Sequence, residues 1–314
     1  MSLELERDEP ISEGVRRIVC ERIDMALETL TRSARAVSDD AVHEARKRFK
    51  EIRGVLRLVR DELGGKIFRR ENRTFRDAAR PLSVLRDAKA LIDSLDALIA
   101  HFKERVKPKA FAKFRRVLIE RRREARKQVL QKDRAVVRIV RRIRSARKRV
   151  ERWPLERKGW KAVDGGLQRV YSQGMRAMNE ARSEPSDETL HEWRKRTKDL
   201  RYGLELLQAA WPETMKLLAE QTHHLTDLLG DDHDLAVLRT VAQQELKDEP
   251  FDEAELLPAL IDERRIVLQQ EAIDLGLKLF EEDDEEFVAR LKGYWKAARG
   301  SSGLAIPPAT RTGP

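Results

Sequence analysis

One cysteine, Cys20, stands among 314 residues, which excludes an intrachain disulfide and a cysteine-cluster metal site. Aromatic residues make up only 5% of the chain, too few for a stacking platform of the kind that grips nucleic-acid bases. Glycine (15) and proline (11) are sparse, which leaves little turn chemistry for a chain of many short strands. No segment alternates apolar and polar residues convincingly, so no strand is expected. No apolar run approaches the roughly 18 residues of a membrane span. Met1-Ser2-Leu3-Glu4-Leu5-Glu6 is acidic and lacks the apolar core of a signal peptide, so a reducing, cytoplasmic setting is expected. There is no P-loop, no paired metal-binding carboxylates, and no nucleophile beside a base.

What the chain has is charge on helices. Charged residues make up 38% and apolar residues 40%. Val15, Ile18, Val19, Ile23, Leu27 and Leu30 recur at helical spacing from Ile11 to about Arg35. Ser38-Asp39-Asp40 reads as a cap for a second helix, which Gly64-Gly65 stops. A third helix is expected from Lys66 to His101, with a kink or break at Pro81. A fourth, very basic one spans about 110–152. After a linker at 154–158 the order repeats, with Pro185-Ser186-Asp187-Glu188 as the matching cap, an interruption near Gly230-Asp231-Asp232, and a closing helix from Glu253 to Arg299. The expected organisation is a flexible segment 1–10, a four-helix bundle 11–153, a second 159–299, and a disordered tail 300–314.

Net charge is +10 but unevenly placed. Residues 1–156 hold 43 Lys/Arg against 25 Asp/Glu, and residues 157–314 hold 22 against 30. A positive field in one half predicts a polyanionic partner.

One stretch occurs twice. His43-Glu44-Ala45-Arg46-Lys47-Arg48-Phe49-Lys50-Glu51-Ile52-Arg53 returns 148 residues later as His191-Glu192-Trp193-Arg194-Lys195-Arg196-Thr197-Lys198-Asp199-Leu200-Arg201. At about 100° per residue, His43, Arg46, Lys47, Lys50, Arg53 and Arg57 share one helix face. Ala45, Phe49, Ile52, Val55, Leu56 and Val59 take the other. His191, Arg194, Lys195, Lys198, Arg201 and Tyr202 line up in the same way in the second copy, opposite Leu190, Trp193, Leu200, Leu204 and Leu207. Like charges three and four residues apart repel, so a merely solvated helix would interleave acids. Guanidinium and ammonium groups in a row suit phosphate oxygens. A cationic row kept inside the acidic half is hard to ascribe to composition.

At these residues the chain resembles the CHAD family of histidine-containing α-helical domains. His43, Arg46, Lys50 and Arg53, and again His191, Arg194, Lys198 and Arg201, match the family pattern, and Arg201-Tyr202 matches its frequent ending. Val84-Leu85-Arg86-Asp87 and Leu228-Leu229-Gly230-Asp231-Asp232-His233-Asp234-Leu235 are similar to further family elements. The similarity spans roughly 11–298. It implies an all-α fold of two four-helix bundles related by a pseudo-twofold axis, with a basic central groove. It also implies binding of inorganic polyphosphate and association with polyphosphate granules. Many relatives carry a CYTH-type triphosphatase domain. Glu4-Leu5-Glu6-Arg7-Asp8 lacks that domain's lysine, so a stand-alone, non-catalytic binding module without cofactor or metal is expected.

Arg86, His233, Arg115, Arg122 and Arg126 either extend the groove or form a salt-bridged surface. The rival readings are a nucleic-acid-binding helical protein, on the strength of Arg121-Arg122-Arg123 and Arg141-Arg142, and a phosphate-processing enzyme.

Overall fold

A computed structural model describes residues 3–32, 37–107, 109–132, 134–246 and 251–300. Among these there are ten α-helices and no strands. In the first half, α1 (Ile11–Arg32), α2 (Asp39–Leu58), α3 (Arg60–His101), α4 (Ala112–Arg126) and α5 (Ala135–Val150) follow in order. In the second come α6 (Asp164–Ser183), α7 (Asp187–Leu206), α8 (Pro212–Glu245), α9 (Phe251–Leu279) and α10 (Asp284–Gly300).

The order within each half is parallel. Helix α2 packs between α1 and α3, and α7 packs between α6 and α8. The halves meet where α2 lies on α7 and α3 on α8. Buried apolar residues from Leu3 to Trp295 form one continuous core, so the halves share an interior rather than closing separately. Close approach at the seam depends on Gly54, where a Cβ would come within 2.5 Å of the Tyr202 Cβ.

Several boundaries differ from expectation. Each half has five described helices, not four. The basic fourth helix is split by a π-helical turn at Lys127–Lys132 and by Arg134, whose φ is 46°. The closing helix is split between Leu279 and Asp284, where Asp283 caps α10 by accepting the Glu286 N–H at 2.8 Å. Helix α2 stops at Leu58, and the break expected at Gly64-Gly65 is present as a kink inside α3: Gly64 has φ 67° and ψ 156°, a non-helical conformation that glycine adopts without steric penalty. Helical backbone runs unbroken through Pro81 and through Gly230-Asp231-Asp232. At Pro81 the lost hydrogen bond is outweighed by burial of Ala78, Leu82 and Leu85 around it.

The described part of the N-terminal segment, from Leu3, is anchored rather than loose. Leu3 and Leu5 are buried, and the Leu5 N–H donates to the Leu206 carbonyl at 3.0 Å, satisfying an acceptor at the end of α7. The linker is also tied down. Trp153 and Leu155 are buried, and Glu62 accepts from the N–H groups of Glu156 and Arg157. The tail expected at 300–314 lies outside the described residues beyond Gly300.

Candidate anion-binding cavity

Both motif helices begin as their sequences dictate. Ser38 accepts the Ala41 N–H at 3.1 Å, with Asp39 and Asp40 in the first turn. Ser186 and Thr189 form a reciprocal capping box, with Asp187 and Glu188 in the first turn. Each helix then buries its apolar face. In α2 this includes Val42, Ala45, Phe49, Ile52, Val55 and Leu56; in α7, Leu190, Trp193, Leu200 and Leu204. With those faces in the core, the two cationic rows are turned towards one another.

They meet in a cavity of about 580 Å³. Ten of the twelve residues expected at the site line it: His43, Arg46, Lys47 and Lys50 from α2, and His191, Arg194, Lys195, Lys198, Arg201 and Tyr202 from α7. Arg86 and Asp87 of α3 close one side, and His223, Thr226, Asp227, Gly230, Asp231, His233 and Asp234 of α8 close another.

Arg53 and Arg57 do not reach the cavity. The Arg53 Nε donates to Asn72 Oδ1 at 2.9 Å, and the Arg57 Nε pairs with Asp199 Oδ2 at 2.9 Å. The α2 row therefore ends at Lys50, and its last turn is spent on joining α2 to α3 and α7. The fourth-helix arginines are also elsewhere. Arg115 pairs with Asp96 at 2.8 Å, and Arg122 and Arg126 both pair with Asp39. For these three the salt-bridged reading holds. Arg86 and His233 do belong to the cavity.

The cations inside are short of counterions. Among the described residues, Arg46, Lys47, Lys50, Arg194 and Lys198 make no ion pair. Arg46 donates to the Ala79 carbonyl at 3.3 Å, and the buried Nε of Arg194 has no hydrogen-bond partner. Burial, and then the charges of Arg46, Arg194 and Arg86, push the Lys50 ammonium down to about 7. Burial, then Arg194 and Lys50, hold Lys198 well below the ordinary lysine range. Arg46 and Arg194 are lowered chiefly by burial.

The histidines follow the same logic. Burial lowers His43, and burial with Arg194 lowers His191. Burial with Arg194 takes His233 to about 4. The His191 and His233 rings lie 4.4 Å apart. At neutral pH these imidazoles are neutral and present one donor and one acceptor each.

One strong pair crosses the cavity wall. Arg86 makes a forked contact with Asp234, at 3.2 and 2.9 Å. Burial would raise Asp234, but the Arg86 contacts hold its carboxyl below the usual range. Arg86 and Asp234 thus link α3 to α8 across the halves.

His223, Thr226 and Asp227 had not been expected at the site. The signal was present: 223, 226, 227, 230, 234 and 237 recur at three- and four-residue spacing, so they share the face of α8 that carries Asp234.

An arrangement of this kind can do one thing well. Desolvation and mutual repulsion destabilise the cationic rows, and a polyanion between them would relieve the repulsion and offset the desolvation. No helix is long and apolar enough to cross a membrane among the described residues.

No curated protein sequence matches this chain. Among solved structures, the crystal structure of the CHAD domain from the plant Ricinus communis is similar in fold. Its TM-score is 0.59 at 15% sequence identity, with 95% of each chain covered. The CHAD domain profile matches residues 19–243, well over half of the sequence and including both motif helices and the α8 face. With the repeated histidine-led motif and its fold in agreement, the chain belongs to the CHAD family.

Proposed function

We propose that the protein binds inorganic polyphosphate in the cavity between α2 and α7 without transforming it, and that it associates with polyphosphate granules in the cytoplasm. The observation that carries this reading is the set of buried and half-buried cations without an ion-pair partner, Arg46, Lys50, Arg194 and Lys198, contributed equally by the two motif helices. Polyphosphate offers about one charge per phosphate and no bases, which suits a cavity of guanidinium and ammonium groups lined by no Phe or Trp and by one buried tyrosine, Tyr202. A space of about 580 Å³ is of a size for a segment of bare phosphate chain.

The nucleic-acid reading rested on the basic stretch in α4 and α5. Four of its five arginines pair with acids instead: Arg121 with Glu245, Arg122 with Asp39, Arg123 with Glu120, and Arg142 with Asp77 at 3.8 Å. For catalysis, among the described residues no three His, Cys, Asp or Glu side chains converge on a point that would hold a metal ion.

The test is a competition titration. Labelled long-chain polyphosphate is bound over a salt series and challenged with duplex DNA and RNA at equal phosphate concentration. Polyphosphate is expected to stay bound, and displacement by nucleic acid would sink the reading. Incubation with polyphosphate, with and without divalent metal, is expected to leave chain length unchanged.

A further inference from the structure

A second chamber of about 530 Å³ opens beside the cationic cavity, walled by the start of α2 and by α3, α8 and α9. The two spaces share His43, Arg86, Ala90, Asp231 and Asp234, so a single ligand can occupy both. Their linings differ in kind. Val42, Leu85, Leu98, Leu235 and Leu268 give the side chamber an apolar floor. Around them stand five aspartates, Asp39, Asp40, Asp93, Asp231 and Asp234, against the cations Arg86, Lys89 and Arg264. A polyphosphate chain running out of the cationic cavity therefore meets carboxylates and stops.

Two of those carboxylates are uncommitted. Asp39 is held by Arg122 and Arg126, Asp93 by Lys89, and Asp234 by Arg86. Asp40 and Asp231 make no ion pair among the described residues. Both sit at the chamber wall as free acceptors, with Ser94 and His101 as further polar groups. An apolar floor with a few acceptors, in a space within the roughly 300–1,000 Å³ of small-molecule sites, suits an uncharged organic group with N–H and O–H donors.

We propose that this side chamber receives the nucleoside of a nucleoside 5′-polyphosphate whose phosphate chain lies in the adjoining cationic cavity. The ring packs on Leu85, Leu98 and Leu268, while its exocyclic amine or sugar hydroxyls donate to Asp40 and Asp231. Arg86 and His43 stand at the junction, where the phosphates begin. The inference rests on the anion reading of the main cavity and adds an end-group preference to it.

Calorimetric titration of tripolyphosphate and ATP separates the two ideas, because ATP carries less negative charge. The wild-type chain is expected to bind ATP about fivefold more tightly than tripolyphosphate. Ala97 is exposed and lines only the side chamber, so Ala97→Trp fills it. That variant is expected to weaken ATP about tenfold and leave tripolyphosphate within about twofold. Asp40→Ala is a second, conservative probe: it removes an acceptor and a repelling charge, so ATP weakens while tripolyphosphate tightens slightly. If ATP binds no better than tripolyphosphate, or if Ala97→Trp leaves ATP untouched in a chain whose helicity is intact, the chamber has no nucleoside role. If tripolyphosphate fails to bind while ATP binds and responds to Ala97→Trp, the chamber stands and the polyphosphate reading falls. If neither ligand binds, both fall.

Discussion

The α2–α7 cavity and the outer face of α4 and α5 are both rich in arginine and lysine, yet they are opposite environments. On the outer face the cations are solvated or matched: Arg115 has Asp96, Arg121 has Glu245, and Arg122 and Arg126 share Asp39. Within the cavity, Arg46 is buried and Lys50, Arg194 and Lys198 are half-buried, without an acid apiece. Exposed pairs contribute little to stability and leave no unmet demand for an anion. Buried, unmatched cations cost folding energy and so create that demand. Counting basic residues does not distinguish the two regions; counting their counterions does.

The sharpest way to break this contrast is to remove charge from both rows. Arg46→Ala with Arg194→Ala is expected to weaken polyphosphate binding by about 100-fold or more. It should also make the salt dependence shallower by about 1.5 in log–log slope, with helicity retained by circular dichroism. Unchanged binding would move the site off these helices.

Acidity offers a second handle. An anion favours the charged ammonium, so binding raises the Lys50 pKa from about 7 and takes up a proton. Affinity is therefore expected to fall about tenfold between pH 6.5 and 8.5. Titrations in buffers of different ionisation enthalpy should show the uptake, and a flat pH profile would mean that Lys50 does not meet the ligand.

The same group links function to stability. A lysine lowered in the folded state binds fewer protons there than when unfolded, between about pH 7 and its usual value near 10.5. Stability should rise with pH over that window, and below it the folded state carries the full penalty. Lys50→Met is accordingly expected to raise the melting temperature at pH 7 by about 3 °C or more while weakening polyphosphate binding. A fall in melting temperature would show that the lysine is adequately solvated.

The smallest effect is expected on the outer face. Arg122→Ala with Arg126→Ala should change polyphosphate affinity by less than about twofold, at a stability cost on the order of 1 kcal/mol. A large loss of affinity would erase the distinction between the two regions.

Much of this was legible in the chain. The caps at Ser38 and Ser186, the apolar stripes of α2 and α7, and the opposed cationic rows all follow from local periodicity. Local periodicity does not decide the pairing where a distant partner intervenes. Arg57 lies on the same face as Lys50 by angle, but Asp199 of α7 captures it. Arg122 and Arg126 look like free cations until Asp39, more than 80 residues away, is placed beside them. His223 and Thr226 carry no motif of their own, and only their three- and four-residue spacing from Asp234 places them on the cavity face of α8. Pro81 and Gly230 do not break their helices, because the propensity of one residue is small against the burial of its neighbours.

Helix identity, face and polarity are local properties, set by the 3.6-residue repeat and by the caps, and they are written in the order of residues. Which cations remain without partners is not local. It depends on which acids the folded chain brings within about 4 Å, and those come from other helices. Packing α2 on α7 across Gly54 put two cationic rows around one cavity, and packing α3 on α8 placed Arg86 against Asp234 at its wall. That juxtaposition, rather than the excess of basic residues, is what makes the cavity a site.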